Sequence, residues 1–204
     1  MTGLRELQRQ RVHEAISTAA ITLFLERGFD EVPVTEIAAA AGVSKPTLFK
    51  YFPTKEDLVL HRFADHKGEA ARELRTRAPG EHPVAALRRH YLDGLAAHDP
   101  VTGLNDHPEV LAFHRMVFDT PSLAVRLFHH MTQDEAELTH ALAETMDELT
   151  AALLAAQVLA AQRVLARRTW AQLAGGRPLA EAEADAVRAA EHAFALLPDT
   201  PAAS

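Results

Sequence analysis

The sequence predicts an all-α protein, in which an N-terminal three-helix domain containing a helix-turn-helix is joined by a long helix to a larger helical domain. Alanine and leucine dominate, while β-branched residues are confined to short patches. That composition favours helices, because small and straight-chain residues lose little freedom there. Apolar residues recur at the i, i+3, i+4 spacing of a buried helix face. Glycine and proline divide the chain into helical lengths, and the best strand candidate, residues 31–34, is short and contains Pro33.

A first helix is expected over residues 7–27, with Val12, Ile16, Ala19, Ala20, Leu23 and Phe24 on one face and Gly28 just past its end. A second, short helix spans 33–41. Pro33 suits the first helical position, where its missing N–H costs nothing, and Ile37, Ala38 and Ala41 face inward. Gly42 permits a tight turn. Ser44 caps a third helix over 45–52, with Pro46 in its first turn. Pro53 ends it, and Thr54 caps a fourth that places Glu56 and Asp57 at its positive end. This fourth helix reads as continuous to about residue 78, where Pro79, Gly80 and Pro83 break it. Five more follow, over 84–98, 108–119, 122–146, 150–173 and 180–197, and residues 198–204 read as a frayed tail. The expected domains are 1–54 and 55–204.

The chain has 204 residues, 48% of them apolar, enough to bury a sizeable core. It has no cysteine, which excludes disulfides, thiolate metal sites and cysteine nucleophiles. The first eleven residues are polar, so no signal peptide is expected, and no uninterrupted apolar run approaches the ~18 residues of a membrane span. A cytoplasmic protein without a membrane partner is the expectation. The net charge of −7 argues against loose nucleic-acid binding, yet it is unevenly spread. The segment from Ser44 to Lys55 holds Lys45, Lys50 and Lys55 and no acid, and Arg5, Arg9 and Arg11 form a second basic cluster. Taken alone, three lysines are a solvated face.

Their setting is more specific. Two short helices joined by a glycine-containing turn are the helix-turn-helix pattern. Small residues must sit where the helices cross, and Ala38, Ala41 and Gly42 supply them; Val43 seals the turn. Leu48 and Phe52 face inward, leaving Lys45, Pro46, Thr47 and Lys50 to face a major groove. Thr47 can meet a base edge or a thymine methyl, the lysines can reach guanine acceptors or phosphates, and Tyr51 can bond a phosphate. Lys55 is expected beside free N–H groups at the start of helix four, a place that favours an anion. The bland counterpart is a three-helix packing unit that binds no DNA.

Gly28-Phe29, Ile37-Ala38, Ala40-Ala41-Gly42-Val43-Ser44, Thr47-Leu48-Phe49, Tyr51-Phe52 and Lys55-Glu56-Asp57-Leu58 resemble the N-terminal pattern of TetR-type repressors over about residues 9–60. The resemblance implies DNA contacts from Thr35, Ser44, Lys45, Pro46, Thr47, Phe49, Lys50, Tyr51 and Lys55. Val32-Pro33 departs from the Ser or Thr usual at the start of helix two, so Thr35 stands in for that hydroxyl, and Phe49 replaces the usual tyrosine. Arg5 and Arg9 are candidates to reach the backbone or adjacent minor groove, and frayed surface arginines explain them equally well.

The resemblance further implies a divergent helical domain that binds a small ligand and dimerises. Candidates for a pocket suited to a flat, largely apolar effector are Phe63, Tyr91, Phe113, His114, Phe118, Phe128 and Met131; plain core explains the same residues. The last two helices suit a homodimer interface through Leu154, Val158, Ala161, Leu165, Ala190, Phe194 and Leu197, and an intramolecular core fits the same periodicity. Two copies would read a palindrome in double-stranded DNA. Ten of the twelve histidines fall between residues 61 and 140. They invite a helical metal-dependent hydrolase as the competing class, but none has a two-ligand helical spacing, and no metal, cofactor or catalytic residue is expected. A DNA-binding regulator with a filled core and no effector is the third reading.

Overall fold

The computed structural model describes residues 2–198, with the side chains of residues 2, 4, 5, 64 and 65 left out. The expected contacts of Arg5 and the expected tail 198–204, beyond Pro198 itself, therefore lie outside the described residues. Ten α-helices follow one another with no strand among the described residues: α1 Thr2–Arg27, α2 Val34–Ala40, α3 Lys45–Tyr51, α4 Asp57–Leu60, α5 Glu69–Thr76, α6 Pro83–Ala96, α7 Pro108–Asp119, α8 Pro121–Ala143, α9 Glu148–Ala174 and α10 Leu179–Ala195. Short 3-10 turns cover His61–His66 and Pro100–Thr102. The all-α class and the N-terminal helix-turn-helix are as the sequence predicts. The continuous fourth helix is not: the segment breaks into α4, a 3-10 turn and α5, with Gly68 left-handed (φ 63°) between the last two. Helical propensity carried that expectation through Gly68, the one residue in the stretch free to leave the right-handed region.

The described chain forms two compact units. The first comprises Met1–Asp65 together with Ala112–Leu127. Its core joins Ile16, Ala20 and Phe24 of α1 to Ile37 and Ala38 of α2, Leu48 of α3, Phe52 and Leu58–Leu60, all buried. Phe113, Val117 and Leu123, far later in the chain, complete the same core. Burial of these side chains contributes roughly 1.5–3 kcal/mol each and is what holds helices as short as α2 and α3.

The second unit comprises His66–Leu111 and the described residues from Phe128 onward. α9 and α10 pack along each other, and α10 also packs on α6. Alanines at 151 and 155 on α9 and at 182, 186 and 190 on α10 are buried and let the helix backbones approach closely. α9 is long and apolar enough to cross a membrane by length and composition. One of its faces, with Ala151, Leu154, Ala155, Val158, Leu165, Thr169 and Leu173, is buried in this unit's core.

Backbone contact is tightest at Gly103, where φ is 76° and an added Cβ would lie 2.0 Å from the Ala166 carbonyl oxygen of α9. Gly103→Ala should therefore cost about 3 kcal/mol in denaturant unfolding, from overpacking and left-handed strain together. A loss no larger than that of an exposed-helix substitution would contradict this packing.

Candidate nucleic-acid interface

The turn between α2 and α3 follows from its backbone bonds. Val43 N–H donates to Ala38 O at 2.9 Å and Gly42 N–H to Ala39 O at 3.1 Å, the double closure of a Schellman motif. It requires a left-handed residue, and Gly42 has φ 67°. The next residue but one, Ser44, is extended and caps α3: its Oγ accepts from Thr47 N–H at 3.2 Å and shares a 2.8 Å hydrogen bond with the Thr47 hydroxyl. Pro46 lies in the first turn of α3.

These bonds fix how α3 is rolled. Leu48 is fully enclosed and Phe52 nearly so, while Ser44, Lys45, Pro46, Phe49 and Lys50 are exposed and Thr47 and Tyr51 half-buried. The structure thus gathers the candidate residues of the segment on the free side of one helix. The Lys45 ammonium rests 5.9 Å from the Phe49 ring centroid. Thr35 is exposed in the first turn of α2, whose N-cap residue Pro33 offers no side-chain bond.

The place expected for an anion beside Lys55 carries a side-chain cap. Thr54 N–H donates to Asp57 Oδ2 at 3.0 Å and Asp57 N–H to Thr54 Oγ1 at 3.1 Å, a reciprocal cap that uses these two N–H groups and sets a carboxylate there. Arg126 bonds the same carboxylate at 3.1 Å.

Sequence reasoning missed a polar joint beneath the recognition helix. His61 Nε2 and Ser17 Oγ are 2.6 Å apart. The His61 ring meets Phe52 (5.1 Å) and His13 (5.3 Å), and His13 in turn covers Phe52 (4.5 Å). Burial, with a smaller contribution from His13, pushes the His61 pKa down to about 4. The signal was present: Ser17 sits on the apolar stripe of α1, where a hydroxyl needs a partner.

The candidate pocket residues divide. Phe63, Phe113, His114 and Phe118 come together in the first unit, with ring centroids 5.8 Å apart for Phe63 and Phe113 and 5.9 Å for His114 and Phe118. His114 is 6% exposed, its Nδ1 has no partner, and burial lowers its pKa to about 4. Tyr91 belongs to the core of the second unit beside Phe194, with its hydroxyl unpartnered; burial raises its pKa. Phe128 is 59% exposed and Met131 partly so. An open groove of about 580 Å³ runs along α1, lined by Arg11, Glu14, Thr18, Thr22, Leu23 and Ala40 among others; none of the candidate pocket residues lines it. Among the described residues no three His, Asp or Glu side chains form a metal-ligand group.

The expected dimer residues divide by exposure. Leu154, Val158, Leu165, Ala190 and Phe194 are buried within the protomer's own core, and Ala161 and Leu197 are half-buried. Exposed apolar side chains on these helices are instead Leu149, Leu153, Val164, Val187 and Leu196.

A short capped helix with its polar face free, seated on two others across a glycine turn, defines a helix-turn-helix domain of the kind that enters a major groove. Residues 16–61 match the family model described as bacterial regulatory proteins, tetR family, so the resemblance to that family is shown for the N-terminal domain. It is 27% identical over 143 residues to the HTH-type transcriptional regulator TcmR of Streptomyces glaucescens, an alignment covering 69% of this chain and 63% of TcmR. The chain thus spans less than two thirds of that relative's length. In fold it is similar to NalD, the secondary repressor of the MexAB-OprM multidrug efflux pump in Pseudomonas aeruginosa, with TM-score 0.64 and 19% identity over 93% of this chain and 97% of NalD. It is also similar to SmeT in complex with triclosan, with TM-score 0.56 and 17% identity over 95% of this chain and 96% of SmeT. At those identities the two structures speak for the fold alone.

His61 and His114 make the first unit sensitive to acid. Each binds a proton less readily in the folded chain than in the unfolded one, so their contribution is full above the ordinary imidazole value near 6.5 and is lost as pH falls toward about 4. For the deeply buried His114 this amounts to on the order of 3 kcal/mol. In urea unfolding, His114→Leu should lose less stability between neutral and acid pH than the wild type does. An equal loss in both would contradict the assignment.

Proposed function

We propose that the chain is a homodimeric transcriptional regulator that binds a palindromic operator, represses from it, and is released by a small, largely apolar effector. The observation that carries the DNA reading is the α3 surface: Lys45, Pro46, Phe49 and Lys50 exposed on a helix locked through Leu48, within the segment that matches the family model. On this reading Lys45, Pro46 and Thr47 meet base edges. Thr35, Ser44, Lys50, Tyr51 and Lys55 contact the phosphate backbone, and the Phe49 ring lies along the groove wall. Residues 1–54 act on DNA, and the remainder carries effector binding and dimerisation. A bacterial DNA-binding regulator of this kind acts in the cytoplasm.

Dimerisation is supported by Leu149, Leu153 and Val164 on α9, and by Val187 and Leu196 on α10, which the protomer leaves in solvent. One helix-turn-helix presents too small a surface for tight specific binding; two about a two-fold axis double it. Effector response is supported by the buried, unpartnered nitrogen of His114 among aromatic rings and by the unpartnered Tyr91 hydroxyl, each of which a ligand group could satisfy. SmeT, alike in fold, is seen in complex with triclosan. An effector releases DNA by favouring a dimer state whose two recognition helices no longer match the half-sites. One observation favours the reading without an effector: the rings of Phe63, Phe113, His114 and Phe118 already touch one another.

Two measurements test the proposal. Thr47→Ala should cost ~1–3 kcal/mol on a selected operator and far less on random duplex, as judged by gel retardation; equal losses on both would remove Thr47 from base reading. Leu153→Glu combined with Val164→Glu should sediment as a folded monomer and bind a two-half-site duplex at least about tenfold more weakly. A double variant that remains dimeric would move the interface elsewhere.

A further inference from the structure

Lys55 does not project freely from the first unit. Its Nζ lies 4.6 Å from the centroid of the Phe29 ring and 5.6 Å from that of Phe24. It also donates to the carbonyl oxygen of Asp30 at 3.4 Å. Phe24 and Phe29 pack against each other, centroids 5.0 Å apart, and both are buried, so the core fixes the ring faces that the ammonium meets. Lys55 itself is half-exposed.

The chemistry of this arrangement is particular. An aromatic face attracts a cation within ~6 Å through its quadrupole, which an aliphatic side chain of similar bulk does not. An ammonium carries three N–H donors and no acceptor. The Asp30 carbonyl engages one, and the ring face balances charge without using up the others. The reciprocal Thr54–Asp57 cap engages the Thr54 and Asp57 N–H groups and sets a carboxylate nearby, so the placement of the ammonium matters for an anion here. The long, mobile lysine stem is the costly part of a lysine–phosphate contact, because its rotamers must be frozen on binding. Here they are restricted in the free protein.

We propose that Phe29 is a positioning residue for DNA binding, whose ring face, with the Asp30 carbonyl, holds the Lys55 ammonium ready for a backbone phosphate. The inference rests on the DNA-binding reading above and adds to it a residue that touches no DNA. Phe29 acts through Lys55 alone, so its removal should affect the electrostatic part of binding and leave base preference intact.

The test uses the full chain and a random-sequence duplex, with affinity measured by fluorescence anisotropy between ~50 and ~200 mM salt. The slope of log K against log salt counts phosphates neutralised, and a change in folding stability alone does not move it. Lys55→Ala should reduce the slope by about one per bound protomer. Phe29→Leu should reduce it in the same way, Phe29→Tyr should restore it, and Phe29→Leu with Lys55→Ala should show no reduction beyond that of Lys55→Ala alone. A wild-type slope in Phe29→Leu, or a slope in Phe29→Tyr as low as in Phe29→Leu, would overturn the positioning role. A wild-type chain with no salt-dependent affinity for any duplex would instead overturn the DNA-binding reading beneath it.

Discussion

The packing of Ile37 and Leu48 into one core with Ile16, Ala20 and Phe24 is the constraint on which the rest of this protein depends. Two helices of seven residues each are too short to persist in water by propensity. They exist because each turns one fully buried side chain into the core and is tied to the other by the Schellman closure at Gly42 and the Ser44 cap. The same packing decides which residues are left outside. With Leu48 enclosed, the helical period turns Pro46, Phe49 and Lys50 to solvent, Lys45 is exposed beside them at the helix start, and this surface is a by-product of a hydrophobic fit.

That surface operates under an electrostatic restriction. The chain carries a net charge of −7, so long-range attraction to DNA is weak or adverse and affinity must come from a few well-placed groups. The structure shows such placement in two forms. The Ser44 hydroxyl holds Thr47 by its backbone and its side chain, and the Phe29 ring and Asp30 carbonyl hold Lys55. Both restrict side-chain freedom ahead of binding, which raises affinity without adding charge.

Much of the first unit was legible in the sequence because its determinants are local. Gly42, Ser44, Pro46 and the inward Leu48 are neighbours along the chain, and each follows from turn, cap or period rules. Features that depend on distant parts of the chain were not legible. Nothing near residues 112–127 signals that Phe113, Val117 and Leu123 complete the core beneath the helix-turn-helix. The apolar stripe of α9 was visible, but periodicity cannot say whether a stripe meets its own chain or another copy. Leu154, Val158 and Leu165 turned out to serve the protomer, and the sparser set of Leu149, Leu153 and Val164 remains outside. The reciprocal Thr54–Asp57 cap was half visible: Thr54 was read as the cap, while the bond that the Asp57 carboxylate accepts from Thr54 N–H was not.

The central claim is that α3, presented twice by a dimer, reads DNA sequence. Selecting duplexes bound by the full chain from a random pool tests it most directly. The account predicts enrichment of an inverted repeat whose half-site centres lie about one helical turn apart, ~34–36 Å, or a multiple of it. Recovery of unenriched sequence, or of a single half-site without symmetry, would contradict it.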